Sequence, residues 1–567
     1  MPYSILAINP GHDGSAALVV DGELVFYVEE ERLSRMKRDG NPFRAMLQIM
    51  NLISVDELII GGTTNNLSTL PWTGENAYAA LARKFNPNVK ITLMGHLHHL
   101  GHAASAFYNS GFETAAAVIV DGAGSFVQEK ITENGPVTGG FETESIYQCA
   151  YPSEFNAVYK RYADGNSIYF DNGIQEFDTS VTITKAYEAV SDYLGFGFIE
   201  AGKTMGLSSY GQSDPNIPSF FINGKGNRNL LIPAYPAGAV IDENRFPYLK
   251  RFNDPNAWHR EPGMVRDVDK NLAWHVQKET EQQVIELIKK AVDLTGETNI
   301  VISGGYGLNC VCNYRLLAEF PDYKFYAEPT SNDGGTAIGL ARYAWHVRNQ
   351  DSTVRPLTSA YLGPVPDYNQ LQIIEQNFNN NIAVEDATVD DIVDMIDSGS
   401  IVAIFQGRSE AGPRALGNRS ILFDPRRADG QDIVNQVKNR EWFRPFAASV
   451  LDEEASSWFD MRTLTSSPFM LYAVDVLNDK KDLIPAVTHV DGTCRIQTVT
   501  TEQNPRYYEL ISAWNRKTGV PMLLNTSFNL AGQPLVESVI DAVLTILNSR
   551  IDCLYLPEIG KKITKTQ

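Results

Sequence analysis

The sequence has few cysteines and no excess of basic residues, and both shortages exclude classes of protein. Its five cysteines are odd in number and scattered over 567 residues, which argues against a disulfide framework and indicates a reducing compartment. Cys310 and Cys312 lack a second pair to complete a zinc site, so we expect both in the core. The formal net charge of −20 disfavours nucleic acid as a partner, because its phosphates bind Lys and Arg.

Long apolar runs are absent as well. No stretch of about 18 apolar residues occurs, so we expect no membrane span and no membrane partner. The first residues, "MPYSILAINPGHDG", show no basic region followed by an apolar core, so we expect no secretion signal and a cytoplasmic protein. The composition, with 43% hydrophobic and 20% charged residues, is typical of a globular protein.

The chain is too long for one hydrophobic core, since domains usually contain about 100–200 residues. Residues 4–30 alternate apolar strands with glycine turns, and residues 114–137 repeat this layout, which predicts a duplicated domain. Two strand–glycine turn–helix patterns at 299–347 indicate an α/β nucleotide-binding half. A stretch with three prolines at 348–369 indicates a linker. We therefore predict one domain at 1–355 and a second at 356–567.

Four histidines lie within the segment "HLHHLGHAASAF" at 96–107. Only residues three or four apart share a helix face, so His98 and His102 form a pair that can bind a metal. The segment lacks the glutamate of a zinc-protease motif. The alternative is a helix end whose imidazoles bond to backbone groups, and we assign this ordinary role to His96 and His99.

Two aspartates are candidates to complete a metal site with this pair. Asp121 follows an apolar strand and Asp333 precedes a predicted helix, the positions at which open α/β sheets place their ligands. Each is also an ordinary turn former before glycine. Two histidines and two aspartates would form a site suited to iron, zinc or manganese.

Four glycine-rich segments are candidates for binding phosphate or moving a proton. "NPGHDGSAA" (9–17) contains His12 and Asp13, which can approach a phosphate and transfer a proton, although a hairpin turn also explains it. "SGGYGLN" (303–309) and "NDGGTAIG" (332–339) lead into helices and suit a nucleotide. "EAGKTMGLSSYG" (200–211) adds Lys203 as a phosphate partner. None matches the P-loop or dinucleotide fingerprints.

The C-terminal part concentrates arginines among glycine, proline and apolar residues. They lie in "GRSEAGPRALGNRSIL" (407–422), "VKNREWFRPFAASVL" (437–451), "HVDGTCRIQTV" (489–499) and "LLNTSFNLAGQPLV" (523–536). This interleaving indicates burial or a lined pocket, and buried arginine needs anionic partners. Arginine and lysine beside asparagine and serine suit a phosphate or carboxylate.

These motifs resemble the NodU/TobZ/CmcH-type O-carbamoyltransferases over nearly the whole chain. The matching stretches include "GHDGSAA", "EEERLSRMK", "HHLGHAASAF", "GRSEAGPRALGNRS", "REWFRPFA" and "NTSFN". The resemblance implies an α/β protein with a duplicated N-terminal domain of the actin/sugar-kinase (ASKHA) type and a YrdC-like C-terminal domain. It also implies use of carbamoyl phosphate and ATP with magnesium, formation of carbamoyl adenylate, and transfer to a hydroxyl of a natural product.

The same resemblance assigns residues to roles. It implies metal ligands, usually for iron(II), at His98, His102, Asp121 and Asp333. It implies transfer-site residues at His12, Asp13 and Lys37, and nucleotide contacts at Gly304, Gly305, Asn309 and Gly334, with Lys203. It implies a carbamoyl phosphate pocket at Arg414, Lys438, Arg444, Arg495, Asn525 and Ser527. Some relatives have an acidic residue where this chain has Pro10, so Asp13 or a carboxylate from 140–180 is an alternative base to His12.

The acceptor and the rival functions remain open in the sequence. Residues 141–178 mix aromatic and acidic side chains, which favours a cationic natural product such as a guanidinium alkaloid of the saxitoxin group or an aminoglycoside-like compound. An ordinary solvated insertion explains the same composition. The alternatives are a tRNA threonylcarbamoyl-adenosine-type enzyme and a non-enzymatic nucleotide-binding regulator. A role in antibiotic or toxin biosynthesis is expected, and a homodimer is left open.

Overall fold

The computed structural model describes residues 2–64, 74–236, 238–249 and 265–566. The chain divides into two compact units. Unit one contains Met1–Glu30 and Arg38–Leu357, and unit two contains Glu31–Lys37 and Thr358–Gln567. The main division therefore lies at residue 357, near the boundary expected at 355. The grouping of residues 31–37 with unit two differs from the sequence-based division.

Unit one contains two principal sheets. Its strands are β1 (Ser4–Asn9), β2 (Ser15–Val20), β3 (Glu23–Glu29), β4 (Glu57–Ile60), β5 (Lys90–Leu93), β6 (Thr114–Val120), β7 (Phe126–Lys130), β8 (Val137–Ala150), β9 (Glu154–Ala163), β10 (Phe170–Asp171), β11 (Gln175–Asp178), β12 (Phe221–Ile222), β13 (Lys225–Gly226), β14 (Leu231–Pro233), β15 (Ala239–Ile241), β16 (Asn299–Ser303) and β17 (Lys324–Ala327). β12 pairs with β13 and β14 with β15 in two small hairpins.

The two sheets repeat one topology. The first has the order β3-β2-β1-β4-β5, and the second contains the order β9-β8-β6-β16-β17. In each, the first three strands are antiparallel and the last two run parallel to the third. The central strands β1, β4 and β6 are buried almost throughout, because helices cover parallel strands. The repeat confirms the predicted duplication of the α/β domain.

The helices of this region begin with α1 (Glu30–Ser34), which crosses from unit one into unit two. The others are α2 (Phe43–Met50), α3 (Ala77–Phe85), α4 (His98–Ser110), α5 (Ile183–Tyr193), α6 (Ala201–Ser208), α7 (Asp267–Thr295), α8 (Cys310–Glu319) and α9 (Thr336–Asn349). No helix among the described residues is both long and apolar enough to cross a membrane.

Helices α4 and α9 pack backbone against backbone. A Cβ atom on Gly339 would lie 1.9 Å from the carbonyl oxygen of Gly101 and 2.6 Å from the amide nitrogen of Ser105. Only glycine allows this approach. Because α9 begins directly after the turn that carries Asp333, the contact brings this turn close to the first turns of α4.

Unit two contains a mixed ten-stranded sheet with helices, the α/β class that was predicted. Its strands are β18 (Ile382–Asp386), β19 (Val402–Phe405), β20 (Arg419–Phe423), β21 (Ala447–Leu451), β22 (Phe459–Asp460), β23 (Ala473–Val476), β24 (Thr493–Val499), β25 (Met522–Ser527), β26 (Cys553–Leu556) and β27 (Lys561–Lys565). Their order is β18-β27-β26-β19-β20-β25-β21-β24-β23-β22. Its helices are α10 (Gln370–Phe378), α11 (Val389–Asp397), α12 (Gly430–Val437), α13 (Pro505–Thr518) and α14 (Val539–Leu547).

Segment 31–37 belongs to unit two through two arginines. Arg32 is 2% exposed and donates a hydrogen bond of 2.7 Å to the carbonyl of Gly412. Arg35 donates to the carbonyls of Pro534, at 3.1 Å, and Leu535. Both arginines bond backbone carbonyls, so the segment is fixed to the loops that it meets.

We predict that Arg32→Ala destabilises unit two by about 2–3 kcal/mol, because a hydrogen bond from a charged group contributes about 1.5–3 kcal/mol and its loss leaves a carbonyl unpaired. Hydrogen exchange of amides in β19 and β20 would measure the change locally. Arg427→Met is the control, since Arg427 forms an exposed pair with Asp429 that contributes little. Equal protection in Arg32→Ala and in wild type would show that Arg32 does not hold the segment.

Candidate metal centre and anion site

Four side chains from three elements of unit one converge on one point. His98 and His102 share a face of α4, and their Nε2 atoms lie 3.2 Å apart. Asp121 directly follows β6, and its Oδ2 lies 3.5 Å from Nε2 of His98. Oδ1 of Asp333 lies 3.7 and 3.8 Å from the two Nε2 atoms. One ligand atom from each of the four residues lies within 4.8 Å of the ligand atoms of the other three. The structure therefore brings together the four residues predicted as ligands.

The electrostatics of this quartet suit a positively charged ligand. Burial alone would lower the pKa of His98, but the carboxylates of Asp333 and Asp121 raise it well above its usual value. Burial and the neighbouring His98 lower the pKa of His102 to about 4. Burial opposes ionisation of Asp121, yet the histidines hold its pKa well below the usual range. Two carboxylates that face two buried imidazoles make this point suitable for a cation.

Outer contacts orient these ligand atoms. Nδ1 of His102 lies 3.3 Å from the hydroxyl of Ser303, which leaves Nε2 directed at the centre. Oδ1 of Asp121 accepts a 3.1 Å hydrogen bond from the amide of Gly305, which leaves Oδ2 for the centre. Two imidazole nitrogens and two carboxylate oxygens with such supports fit a divalent transition metal.

The turn with His12 and Asp13 lies beside this quartet. Nε2 of His12 is 3.7 Å from Oδ2 of Asp333, and its Nδ1 is 3.2 Å from Asp13. Two amides of the turn donate to carbonyls of the loop at residues 39–40, which fixes the turn. The His12 side chain is half-exposed, so it is open to a substrate. The charge of Asp333 and the hydrogen bond with Asp13 raise the pKa of His12 to about 10.

Lys37 is not grouped with His12 and Asp13. It lies at the end of segment 31–37, in unit two, whereas the two other predicted transfer residues lie in unit one. Its ammonium donates to Glu31 within the same segment, at 2.7 Å. The contact of Lys37 in this structure is therefore local to the segment.

The predicted nucleotide turns have different contacts. Gly304 and Gly305 follow β16, and the amide of Gly305 meets Asp121. The carbonyl of Gly334 accepts a 2.7 Å hydrogen bond from Ser15, which holds the turn of Asp333 to β2. These glycines border the quartet.

Asn309 and Lys203 were also predicted to contact a nucleotide. The Asn309 amide caps α8 and exchanges hydrogen bonds with Gln277, so it is engaged within the protein. Lys203 lies on α6, with its ammonium 3.8 Å from Glu200 and 5.8 Å from the ring centroid of Phe196. Its helix meets the start of α8 through a contact of Met205 with Cys310.

Unit two contains a cluster of four cations, which we call the cation cluster: Lys438, Arg440, Arg444 and Arg495. Burial, Arg440 and Arg444 lower the pKa of Lys438 well below its usual value. Burial, Arg444 and Arg495 do the same to the pKa of Arg440. Glu441 lies at its edge, 3.4 Å from Arg444. Four neighbouring cations of this kind would suit an anionic ligand.

The other predicted pocket residues have different contacts. The ammonium of Lys438 donates to the turn at 527–529, including the Ser527 hydroxyl at 3.1 Å. Asn525 is fully buried, and its amide donates to the carbonyl of Ala415 at 3.2 Å. Ala415 follows Arg414, so the loop of Arg414 lies against β25. The structure thus brings Lys438 and Ser527 into contact and places Asn525 beside the Arg414 loop.

Two residues near these sites were missed by sequence reasoning. Arg440 is two residues after Lys438, and that short spacing was the signal that could have identified it. Glu188 on α5 pairs with Lys185 at 2.7 Å, and a Cβ atom on Gly122 would lie 2.8 Å from its carboxylate. Glu188 is one acidic residue in an amphipathic helix, and nothing in its spacing distinguishes it.

The chain matches two family models, described as Carbamoyltransferase N-terminus over residues 72–342 and Carbamoyltransferase C-terminus over residues 393–562. It is 32% identical to nodulation protein NolNO of Sinorhizobium fredii, over 96% of this chain and 78% of that protein. It is 26% identical to nodulation protein U of Rhizobium tropici, over 93% and 91%. A crystal structure of full-length HypF in a phosphate- and nucleotide-bound form has 14% identity, covers 62% of this chain and 56% of that one, and has a TM-score of 0.36. The chain belongs to the carbamoyltransferase family.

Proposed function

We propose that the protein is an ATP-dependent O-carbamoyltransferase. Its YrdC-like unit two would use carbamoyl phosphate and ATP to form carbamoyl adenylate, releasing phosphate and pyrophosphate. Unit one would then transfer the carbamoyl group to a hydroxyl of a natural product. The observation that carries this proposal is the convergence of His98, His102, Asp121 and Asp333 within 4.8 Å, beside the half-exposed His12.

The cation cluster supports the assignment of carbamoyl phosphate to unit two. Planar guanidinium groups such as Arg440 and Arg444 bind phosphate oxygens through paired N–H donors. The Ser527 hydroxyl adds a neutral donor beside Lys438. A dianionic ligand would relieve the repulsion that lowers the pKa of Lys438 and of Arg440. We assign Arg414, Arg495 and Asn525 to the same pocket.

The quartet would hold a divalent metal ion, which we propose to be iron(II). When bound, such an ion supplies Lewis-acid chemistry to a phosphate group. Engagement of Asp333 with a cation would remove much of the charge that raises the pKa of His12 to about 10. His12 would then be neutral and able to accept the proton of the acceptor hydroxyl, because an alcohol needs a base to become a good nucleophile.

The adenylate and the ATP, with its magnesium ion, need nucleotide contacts. In unit one we assign these to Gly304, Gly305 and Gly334, whose turns border the quartet. Lys203 would supply a positive charge, and Asn309 would act through the shape of its turn, since its amide is engaged with Gln277. We assign Lys37 to the carbamoyl end of the transfer.

We propose a cationic, hydroxylated natural product as acceptor. The net charge of −20 supports this choice. The support from segment 141–178 is narrower, because several of its carboxylates already pair with cations: Glu142 with Lys160, Glu144 and Asp178 with Arg161, and Glu176 with Lys225. Glu154 and Asp171 remain exposed, and these are the carboxylates of this segment that we assign to acceptor binding.

An acceptor panel tests the proposal. The purified chain would be given carbamoyl phosphate, ATP and, in turn, a guanidinium alkaloid, an aminoglycoside and a neutral oligosaccharide. Mass spectrometry is expected to detect the gain of one carbamoyl group on the cationic compounds. Carbamoylation of the neutral sugar alone would overturn the choice of acceptor. Absence of carbamoyl phosphate-dependent pyrophosphate release would overturn the proposed reaction.

A further inference from the structure

We infer that His99 is a positioning residue for Asp121, and this inference rests on the proposed metal site. His99 is fully buried and lies on α4 between the two predicted ligands of that helix. Its ring projects away from the shared face of His98 and His102, toward β8 and the loop that follows β6. One edge of the ring meets Ser145 of β8, and the other edge faces Asp121.

The two ring nitrogens of His99 have different surroundings. Nδ1 lies 2.7 Å from the hydroxyl of Ser145. Nε2 is buried and has no hydrogen-bond partner among the described residues, but it lies 3.9 Å from Oδ2 of Asp121. This is the oxygen that also faces His98. A buried polar atom without a partner costs free energy, so a small movement that joins Nε2 to Asp121 is favourable.

The loop after Asp121 is built around this edge of the ring. A Cβ atom on Gly124 would lie 2.7 Å from Cδ2 and 2.9 Å from Nε2 of His99, so a side chain there would displace the imidazole. Glu142, the neighbouring carboxylate, is already engaged: it accepts from the amide of Ser125 at 3.1 Å and from Lys160. Asp121, at 3.9 Å, is the carboxylate within ion-pair distance of Nε2.

The tautomer of the His99 imidazole determines which ring nitrogen donates a hydrogen bond. When the Ser145 hydroxyl donates to Nδ1, the single ring proton of the neutral imidazole lies on Nε2. Donation of that N–H to Asp121 would hold the carboxylate in the orientation that its Oδ2 needs to face the metal. Outer partners of this kind change metal affinity by about 10- to 100-fold.

The experiment is a titration of the whole, metal-free chain with Co²⁺, whose d–d absorption reports the number and symmetry of its ligands. His99→Gln keeps an amide donor near the position of Nε2, whereas His99→Asn reaches only the position of Nδ1. We expect Co²⁺ affinity to fall at least about tenfold in His99→Asn, with an altered spectrum, and to be partly restored in His99→Gln. His96→Gln, at an exposed histidine just before α4, is the matched control and should equal wild type.

Ser145→Ala guards against misfolding of the buried variants, because it leaves the ring of His99 in place. It removes the donor to Nδ1 and is expected to weaken Co²⁺ binding several-fold. Wild-type affinity and spectrum in folded His99→Asn, or in Ser145→Ala if neither His99 variant folds, would overturn the positioning role. Failure of the wild-type chain to bind Co²⁺ would overturn the proposed metal site itself, and the inference with it.

Discussion

The replacement Asp333→Asn is expected to reduce carbamoyl transfer on the order of 1,000-fold while carbamoyl phosphate-dependent pyrophosphate release continues at nearly the wild-type rate. Asn has the size of Asp but lacks its charge, so the quartet loses one of two anionic ligands. The Lewis-acid contribution of a metal is worth several kcal/mol, and each 1.36 kcal/mol changes a rate about tenfold. The measurement pairs carbamoylated product by mass spectrometry with pyrophosphate release in the same reaction.

Measurement of both product formation and pyrophosphate release distinguishes the possible roles of Asp333. Because Asp333 lies in unit one and the cation cluster in unit two, loss of both activities would mean that the units do not divide the reaction as proposed. Retention of transfer would mean that the quartet has no role in it. Metal analysis of the purified variant should show loss of bound metal, and His96→Gln, outside the quartet, should retain both activities and the metal.

The duplication of unit one could be predicted from sequence because strands and tight turns are local features. The apolar runs at β1 and β6 are each bordered by glycine turns. Each run is the first strand along the chain of one of the two repeated sheets. The length of β8 and β9 was not foreseen, since their polar and aromatic residues do not alternate strictly. The grouping of segment 31–37 with unit two depends on contacts of Arg32 and Arg35 with loops several hundred residues away, which no local pattern records.

The candidate metal centre was accessible to sequence reasoning for a similar reason. Helical spacing selects His98 and His102, and strand-end positions select Asp121 and Asp333. The sequence-based assignment of His99 to an ordinary backbone contact did not anticipate that its two nitrogens face Ser145 and Asp121. His99 lies on a different face of α4 from the two predicted ligands, so its contacts depend on the sheet that packs against that face.

The contacts of individual polar residues were the hardest part to predict. Asn309 follows a glycine turn that suits a nucleotide, but its amide caps α8 and bonds Gln277. Lys37 lies in the stretch "EEERLSRMK", on which the resemblance to the family partly rests, but its contact is with Glu31. In both cases a nearby partner satisfies the side chain, and hydrogen bonding of this kind depends on three-dimensional neighbours rather than on spacing.

The replacement Arg444→Met is expected to raise the KM for carbamoyl phosphate on the order of 100-fold without lowering the stability of unit two. Hydrogen bonds to charged groups contribute about 1.5–3 kcal/mol, which corresponds to this loss of affinity. In the absence of ligand, however, Arg444 repels its neighbours and lowers the pKa of both Lys438 and Arg440. Its removal therefore relieves repulsion in the folded state, and the free energy of unfolding should be unchanged or higher.

Kinetics and thermal unfolding together test whether Arg444 favours ligand binding and lowers the stability of the unliganded protein. Inorganic phosphate should raise the Tm of the wild-type chain and have a much smaller effect on Arg444→Met, because a ligand stabilises a protein in proportion to its affinity. Arg427→Met removes an arginine that pairs with Asp429 at the surface of the same unit, and it should leave KM and the phosphate effect unchanged. A binding site for an anion keeps like charges together at the expense of stability. A variant of Arg444 that is less stable than wild type and has a normal KM for carbamoyl phosphate would contradict this role and make Arg444 a structural residue.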